Sequence, residues 1–130
     1  MLALGLVLAA AAAALHVVIF YLESFAWESA RARAVFRTGS VADARATKFS
    51  AYNQGFYNLF LAVLVLLGLL VTAAGGRTAG LTLVLAGTGC MLAAATVLLL
   101  SSRPHRGAAL RQGTLPLLAV LLVALGAATG

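Results

Sequence analysis

The first apolar segment of this chain, residues 2–22, contains a single ionisable side chain, His16, and is followed directly by Glu23. A stretch of about 20 apolar residues is the length that an α-helix needs to cross the hydrocarbon core of a bilayer. Three more apolar runs follow, separated by breaker signals at Gly75-Gly76 and Arg103-Pro104. We therefore predict an all-α, integral membrane four-helix bundle that forms a single domain. The expected spans cover residues 2–25, 50–74, 78–100 and 109–128.

Composition excludes an ordinary soluble domain. Of 130 residues, 63% are hydrophobic and 9% are charged, whereas soluble chains carry about 25% charged residues. The net charge of +6 comes from basic residues between apolar runs, where they orient the chain and meet anionic lipid, so we expect no nucleic-acid partner. The single cysteine, Cys90, lies inside an apolar run and excludes an intrachain disulfide. We find no motif for a metal site or a cofactor, and none is expected.

The distribution of basic residues predicts the orientation. Eight of the nine Lys and Arg residues lie in or beside the first and third connections, and only Arg77 lies in the second. Loops that are rich in Lys and Arg remain in the cytoplasm. We therefore predict a multi-pass protein of the cell inner (plasma) membrane with both termini outside.

Two ionisable residues on the first helix form the candidate catalytic pair. His16 and Glu23 are seven positions apart, which is two helical turns, so they lie on the same side of the helix about 10 Å apart along its axis. An ionisable side chain inside a membrane helix is costly and usually functional. The alternative for Glu23 is an anchoring ion pair with Arg31 or Lys48. His105 lies in a basic loop and is expected to be solvated.

Further polar side chains are expected at the same depth, in the opening turns of the second and fourth spans. Their i, i+4 spacing predicts one shared pocket open to the cytoplasmic side, and Gly55 would allow the first two helices to approach closely. The alternative for the amides is that they only join helices by hydrogen bonds. The predicted ligand-binding residues are Trp27, Asn53, Gln54, Tyr57, Asn58 and Gln112.

The first connection contains a candidate interfacial helix. Trp27, Ala30, Ala34 and Val35 alternate with arginines, a pattern typical of an amphipathic segment with a basic face. The residues Thr38-Gly39-Ser40 would end it. A solvated charged loop is the alternative.

Three segments carry a family resemblance: HVVIFYLESFAW from His16, AYNQGFYN from Ala51 and QGTLP from Gln112. Together they resemble a bacterial family of small four-span membrane proteins, filed as domain of unknown function number thirteen hundred and four. The resemblance implies a four-helix membrane fold and no established activity. Some members of this family carry the label epimerase, but this sequence contains no sugar-nucleotide motif that would support it. The marked positions would be His16, Glu23, Trp27, Asn53, Gln54, Gly55, Tyr57, Asn58 and Gln112.

Three functions fit these residues. The first is an intramembrane enzyme of the acid–base isomerase, epimerase or hydrolase type, or a binder of a small apolar or amphipathic ligand, with His16 and Glu23 exchanging protons. The second is a small-solute or proton-coupled transporter, and the third is a structural membrane scaffold. We expect the lipid bilayer as a partner, and the sequence leaves open whether the chain forms a homo-oligomer.

The orientation can be tested by cysteine labelling from the periplasmic side. A cysteine placed at Gly76 should be modified and one placed at Gly39 should not, because the second connection holds only one basic residue. The reverse pattern would contradict the predicted topology and the cytoplasmic position of the pocket.

Overall fold

The computed structural model describes residues 1–129, and its regular structure is entirely helical. Four helices are long and apolar enough to cross a membrane, which confirms the predicted all-α four-helix membrane fold. A short helix and a 3-10 turn lie in the connections. The elements are α1 (Leu2–Ser24), α2 (Ala30–Phe36), α3 (Val41–Ala73), α4 (Arg77–Ser101), the 3-10 turn (Arg103–His105) and α5 (Arg106–Ala128).

The four long helices form a square bundle. α1 packs against α3 and α5, and α4 packs against the same two helices, so α1 and α4 lie on one diagonal and α3 and α5 on the other. Small side chains fill the centre, among them Ala9, Ala62, Val65 and Ala119, all fully buried. Small residues let membrane helices approach closely, and dispersion contacts then hold them together.

The closest approach of α3 and α4 is made by glycines. A Cβ atom added to Gly68 would lie 2.7 Å from the carbonyl oxygen of Gly80 and 2.7 Å from the backbone nitrogen of Val84. Both neighbours are backbone atoms, so they cannot move aside as a side chain can. Gly68 therefore sets the distance between these two helices.

α3 begins well before the expected start at residue 50. Ser40 and Asp43 form a capping box, in which the Ser40 hydroxyl accepts from the Asp43 amide at 3.1 Å and the Asp43 carboxylate accepts from the Ser40 amide at 2.9 Å. The helix has 33 residues and is about 50 Å long, whereas the hydrocarbon core is about 30 Å thick. Polar residues in its first turns keep that part out of lipid without preventing it from being helical.

The first and third connections lie at the same end of the bundle, which we call the loop end. The predicted interfacial helix is present as α2, which starts at the Ser29 cap and ends where Arg37 takes a left-handed φ of 54°. The imidazole of His105 donates from Nε2 to the carbonyl oxygen of Phe36 at 3.1 Å and joins the two connections. The expectation that His105 is only solvated is therefore wrong. The side of the membrane that this end faces stays a prediction.

The role of Gly68 gives a stability test. Gly68→Ala should destabilise the bundle by about 1–3 kcal/mol, because the new methyl group overlaps the backbone of α4. Thermal unfolding in a mild detergent measures the loss as a lower midpoint. Gly89→Ala is the matched control, because a Cβ atom there has nothing within 4 Å. Equal midpoints for the two variants would contradict the proposed close contact.

Candidate functional site

A cavity of about 320 Å³ lies between the four long helices near the loop end. α1 contributes His16 and Glu23, and α3 contributes Gln54 and Asn58. The other two helices supply mostly apolar wall. Its remaining lining residues are Trp27, Phe36, Ala94, Leu98, His105, Ala108 and Gln112. The structure thus brings six of the eight predicted site residues to one cavity.

His16 lies on the buried face of α1 and is 2% exposed. Its Nδ1 atom lies 2.9 Å from the carbonyl oxygen of Ala12, one turn earlier in the same helix. A carbonyl oxygen can only accept a hydrogen bond, so Nδ1 carries the proton in the neutral ring and Nε2 carries the lone pair. Nε2 makes no hydrogen bond to another described residue. It is also not one of the atoms of residues 1–129 that are buried from solvent without a hydrogen-bond partner. It is therefore accessible from the cavity.

Glu23 is 9% exposed and is held by a side chain of α3. Its Oε2 atom accepts from the Asn58 amide nitrogen at 2.8 Å, and that nitrogen lies 3.3 Å from the carbonyl oxygen of Gln54. The bond fixes one carboxylate oxygen and leaves the other to the cavity. Neither of the two ion pairs within residues 1–129 involves Glu23.

Gly55 lets α1 and α3 come close enough for this contact. A Cβ atom there would lie 3.0 Å from the carbonyl oxygen of Phe20 and would meet the Ser24 hydroxyl. The Ser24 hydroxyl in turn donates to the carbonyl oxygen of Tyr52 at 3.0 Å. The expected close approach at Gly55 is confirmed.

The alternative that Glu23 pairs with Arg31 or Lys48 is wrong, because neither ion pair among residues 1–129 contains Glu23 or Arg31. Lys48 binds another carboxylate. The Lys48 ammonium lies 2.8 Å from Oε1 of Glu28, and the Arg45 guanidinium lies 3.0 Å from Oε2. Hydrogen bonds from Lys48 and then Arg45 hold the pKa of the Glu28 carboxyl below its ordinary value. This group clamps the start of α3 to the first connection.

Asn53 and Tyr57 are exposed and do not line the cavity, which corrects the expectation of one pocket shared by all the polar residues of α3. Successive residues of a helix are rotated by about 100°, so Gln54 and Asn58 can face the cavity while the other pair cannot. Tyr57, at 58% exposure, points outward beside Asn53. The i, i+4 pattern identified two stripes but could not choose between them.

Trp27, Phe36 and His105 close the loop end of the cavity. The Trp27 and Phe36 ring centroids are 5.1 Å apart, and the Trp27 indole donates to the carbonyl oxygen of Ala44 at 2.9 Å. Nδ1 of His105 lies 2.7 Å from the Ser102 hydroxyl, so both its ring nitrogens have partners. Phe36 and His105 were not predicted as site residues, because the hydrogen bond between them forms only when the first and third connections meet in the folded chain.

A shallow groove of about 260 Å³ between α1 and α3 shares Glu23, Trp27 and Gln54 with the cavity. Its other lining residues are Thr47, Ser50 and Ala51. Three side chains therefore border both the cavity and this groove on the side of the bundle.

The family model described as "Protein of unknown function (DUF1304)" matches residues 2–124. No curated protein and no solved structure matches the chain.

The contrast between Asn58 and Asn53 gives a direct test of the site geometry. Asn58→Leu should lower stability by about 1–3 kcal/mol, because it removes a hydrogen bond to a buried carboxyl group. Asn53→Leu should change stability little, since Asn53 is exposed and makes no side-chain bond to the described residues. Unfolding in detergent measures both. An equal loss in the two variants would contradict the placement of Glu23 against Asn58.

Proposed function

The chain belongs to the family described as Protein of unknown function (DUF1304), and we propose that it is an intramembrane acid–base enzyme. Its substrate would be a small amphipathic molecule bound in the cavity. Following the charge distribution, the cavity would face the cytoplasmic leaflet.

One observation carries this proposal: apart from the Asn58–Glu23 bond, the polar side chains of α1, α3 and α5 at the cavity are not paired with each other. Nε2 of His16 and the side-chain amides of Gln54 and Gln112 make no hydrogen bond to another described residue. None of these groups is buried away from solvent. Amides that only join helices hydrogen-bond across the helix contact. Here the same groups border an open space, as groups that bind a ligand do.

The geometry suits His16 as the general base. The Ala12 carbonyl fixes the tautomer and the orientation of the ring, so the lone pair of Nε2 is available without reorganisation. Such a base is most effective when it is held in place within reach of the proton that it removes.

Glu23 would be the second proton-transfer group. It lies two turns from His16, about 10 Å along the helix axis, so the two side chains border a substrate rather than each other. Asn58 orients the carboxyl group through Oε2. In an isomerisation, His16 would take a proton from a carbon or hydroxyl of the substrate and the Glu23 carboxyl would return one at a second atom.

The walls indicate the kind of substrate. Gln54 and Gln112 can hydrogen-bond an oxygen of the substrate, while Ala94 and Leu98 offer apolar contact. The volume, about 320 Å³, is at the lower end of the range of ligand sites, roughly 300–1,000 Å³. A molecule with an apolar tail could enter through the groove beside Glu23 and Trp27, which opens to the side of the bundle.

Transport fits the structure less well. Beyond the cavity, the centre of the bundle is filled by fully buried apolar side chains such as Val65, Val84, Met91 and Val123. A solute or a proton would need a polar route through this half, and these side chains provide none.

The proposal is testable without knowing the substrate. Purified protein in detergent is incubated with an extract of apolar metabolites in heavy water enriched in oxygen-18, and mass spectrometry records isotope uptake. A proton-transferring isomerase introduces deuterium at carbon, and a hydrolase introduces oxygen-18. The wild type should label at least one compound, and His16→Gln and Glu23→Gln should reduce that rate by about 100-fold or more, the usual contribution of a general acid or base.

Asn53→Gln is the matched control, since it changes an exposed residue outside the cavity and should keep full activity. Unfolding midpoints of all variants show that the bundle is still assembled. Isotope uptake that is unchanged in both His16→Gln and Glu23→Gln, or absent with the wild type, would overturn the enzyme proposal.

A further inference from the structure

A second site lies on the outside of the bundle, away from the groove beside Glu23. An apolar groove of about 200 Å³ runs along α1 and is covered at the loop end by α2 and α5. Leu15, Val18, Ile19 and Leu22 form its apolar floor and wall, and Ile19 and Leu22 are nearly buried. These four residues follow the i, i+3, i+4, i+7 spacing of one face of α1, so the apolar surface of the groove runs along that helix.

Two arginines stand at the loop end of this groove. Arg31 comes from α2 and Arg111 from the second turn of α5, and both line the groove. Arg111 also lines a smaller adjoining pocket of about 140 Å³, where Arg37 joins it. Two guanidinium groups, from α2 and α5, thus line the end of the apolar groove, and that of Arg37 lies at the adjoining pocket.

No acidic side chain among residues 1–129 neutralises these arginines. The chain has three acidic residues, and each is engaged elsewhere. Glu23 binds Asn58, Glu28 binds Lys48 and Arg45, and Asp43 binds Ser40. Among residues 1–129, Arg31, Arg37 and Arg111 therefore have no acidic side chain as partner.

We propose that this groove is a binding site for one anionic glycerophospholipid. An acyl chain lies along Leu15, Val18 and Leu22, and the phosphate and its anionic head group lie between Arg31 and Arg111. Guanidinium groups bind phosphate oxygens with paired hydrogen bonds, and basic pockets between membrane helices are known to select anionic head groups. The unbalanced charge selects an anionic lipid over a zwitterionic one.

This site is independent of the proposed enzyme function. Phe36, Ala108 and Gln112 border both the groove and the central cavity, but the arginines lie only on the outer side. A bound lipid would hold α2 against α1 and α5 and so support the wall behind Phe36. Because Arg31 and Arg111 do not line the central cavity, a variant that loses catalysis should still bind the lipid.

Native mass spectrometry of the full chain in detergent measures the site directly. Dioleoylphosphatidylglycerol should bind as one retained copy, with an affinity about tenfold higher than that of dioleoylphosphatidylcholine. The double variant Arg31→Gln/Arg111→Gln should lose this preference. The charge-matched control Arg77→Gln/Arg103→Gln should keep it, because neither residue lines the groove. An equal loss in both double variants, or equal binding of the two lipids, would overturn the proposal.

Two further measurements separate the acyl groove from the phosphate contact. Val18→Trp fills the groove at a position that is 46% exposed, so it should fold normally and weaken lipid binding while leaving the charge unchanged. Glycerol phosphate alone should not raise the unfolding midpoint at concentrations where the lipid does. If glycerol phosphate stabilises as well as the lipid, the site binds a free phosphate rather than a lipid. If Val18→Trp binds lipid normally, the acyl chain does not lie in this groove, and the proposal is overturned.

Discussion

The structure depends on how an apolar helix satisfies two ionisable side chains within a bilayer. A polar group left unpaired in hydrocarbon costs several kcal/mol, so His16 and Glu23 require partners inside the protein. His16 uses the Ala12 carbonyl of its own helix, whereas Glu23 needs Asn58 from α3. That second bond requires α1 and α3 to approach closely, which the absence of a side chain at Gly55 allows. The cavity remains where side chains of all four long helices stop short of one another.

The bundle is divided into a packed half and a polar half. In the packed half, small side chains and glycines bring the backbones together, and the fully buried Thr88 hydroxyl donates to the Val84 carbonyl oxygen of its own helix. In the polar half, the ends of the helices are held apart and covered by the two connections, which meet through His105 and Phe36. Glu28 joins the first connection to α3 through Lys48 and Arg45. These ion pairs thus hold the first connection in place at the loop end of the cavity.

The sequence predicted the four spans well because long apolar runs and strong breakers leave few other folds in a membrane. The expected span from residue 50 did not indicate that α3 begins at Val41, since polarity marks where lipid ends and not where a helix ends. The sequence could not select Gln54 and Asn58 over Asn53 and Tyr57, because both pairs have the same spacing and only the packing angle of α3 distinguishes them. It gave no indication of the Glu28 ion pairs and favoured a solvated His105, because the partners of both residues are distant in sequence and meet only in the folded chain.

The central claim is that a water-accessible cavity lies inside the loop end of the bundle. On a Cys90→Ala background, a cysteine placed at Ala94 would line this cavity, whereas one placed at the neighbouring Ala93 is exposed but lies outside it. Only the thiolate reacts with water-soluble thiosulfonate reagents, so modification in a bilayer requires water at the sulfur atom. Modification at position 94, with none at 93 or at the fully buried Ala119, is the result that this structure predicts. Equal reactivity at 93 and 94, or no reaction at 94, would contradict the cavity and the functions assigned to it.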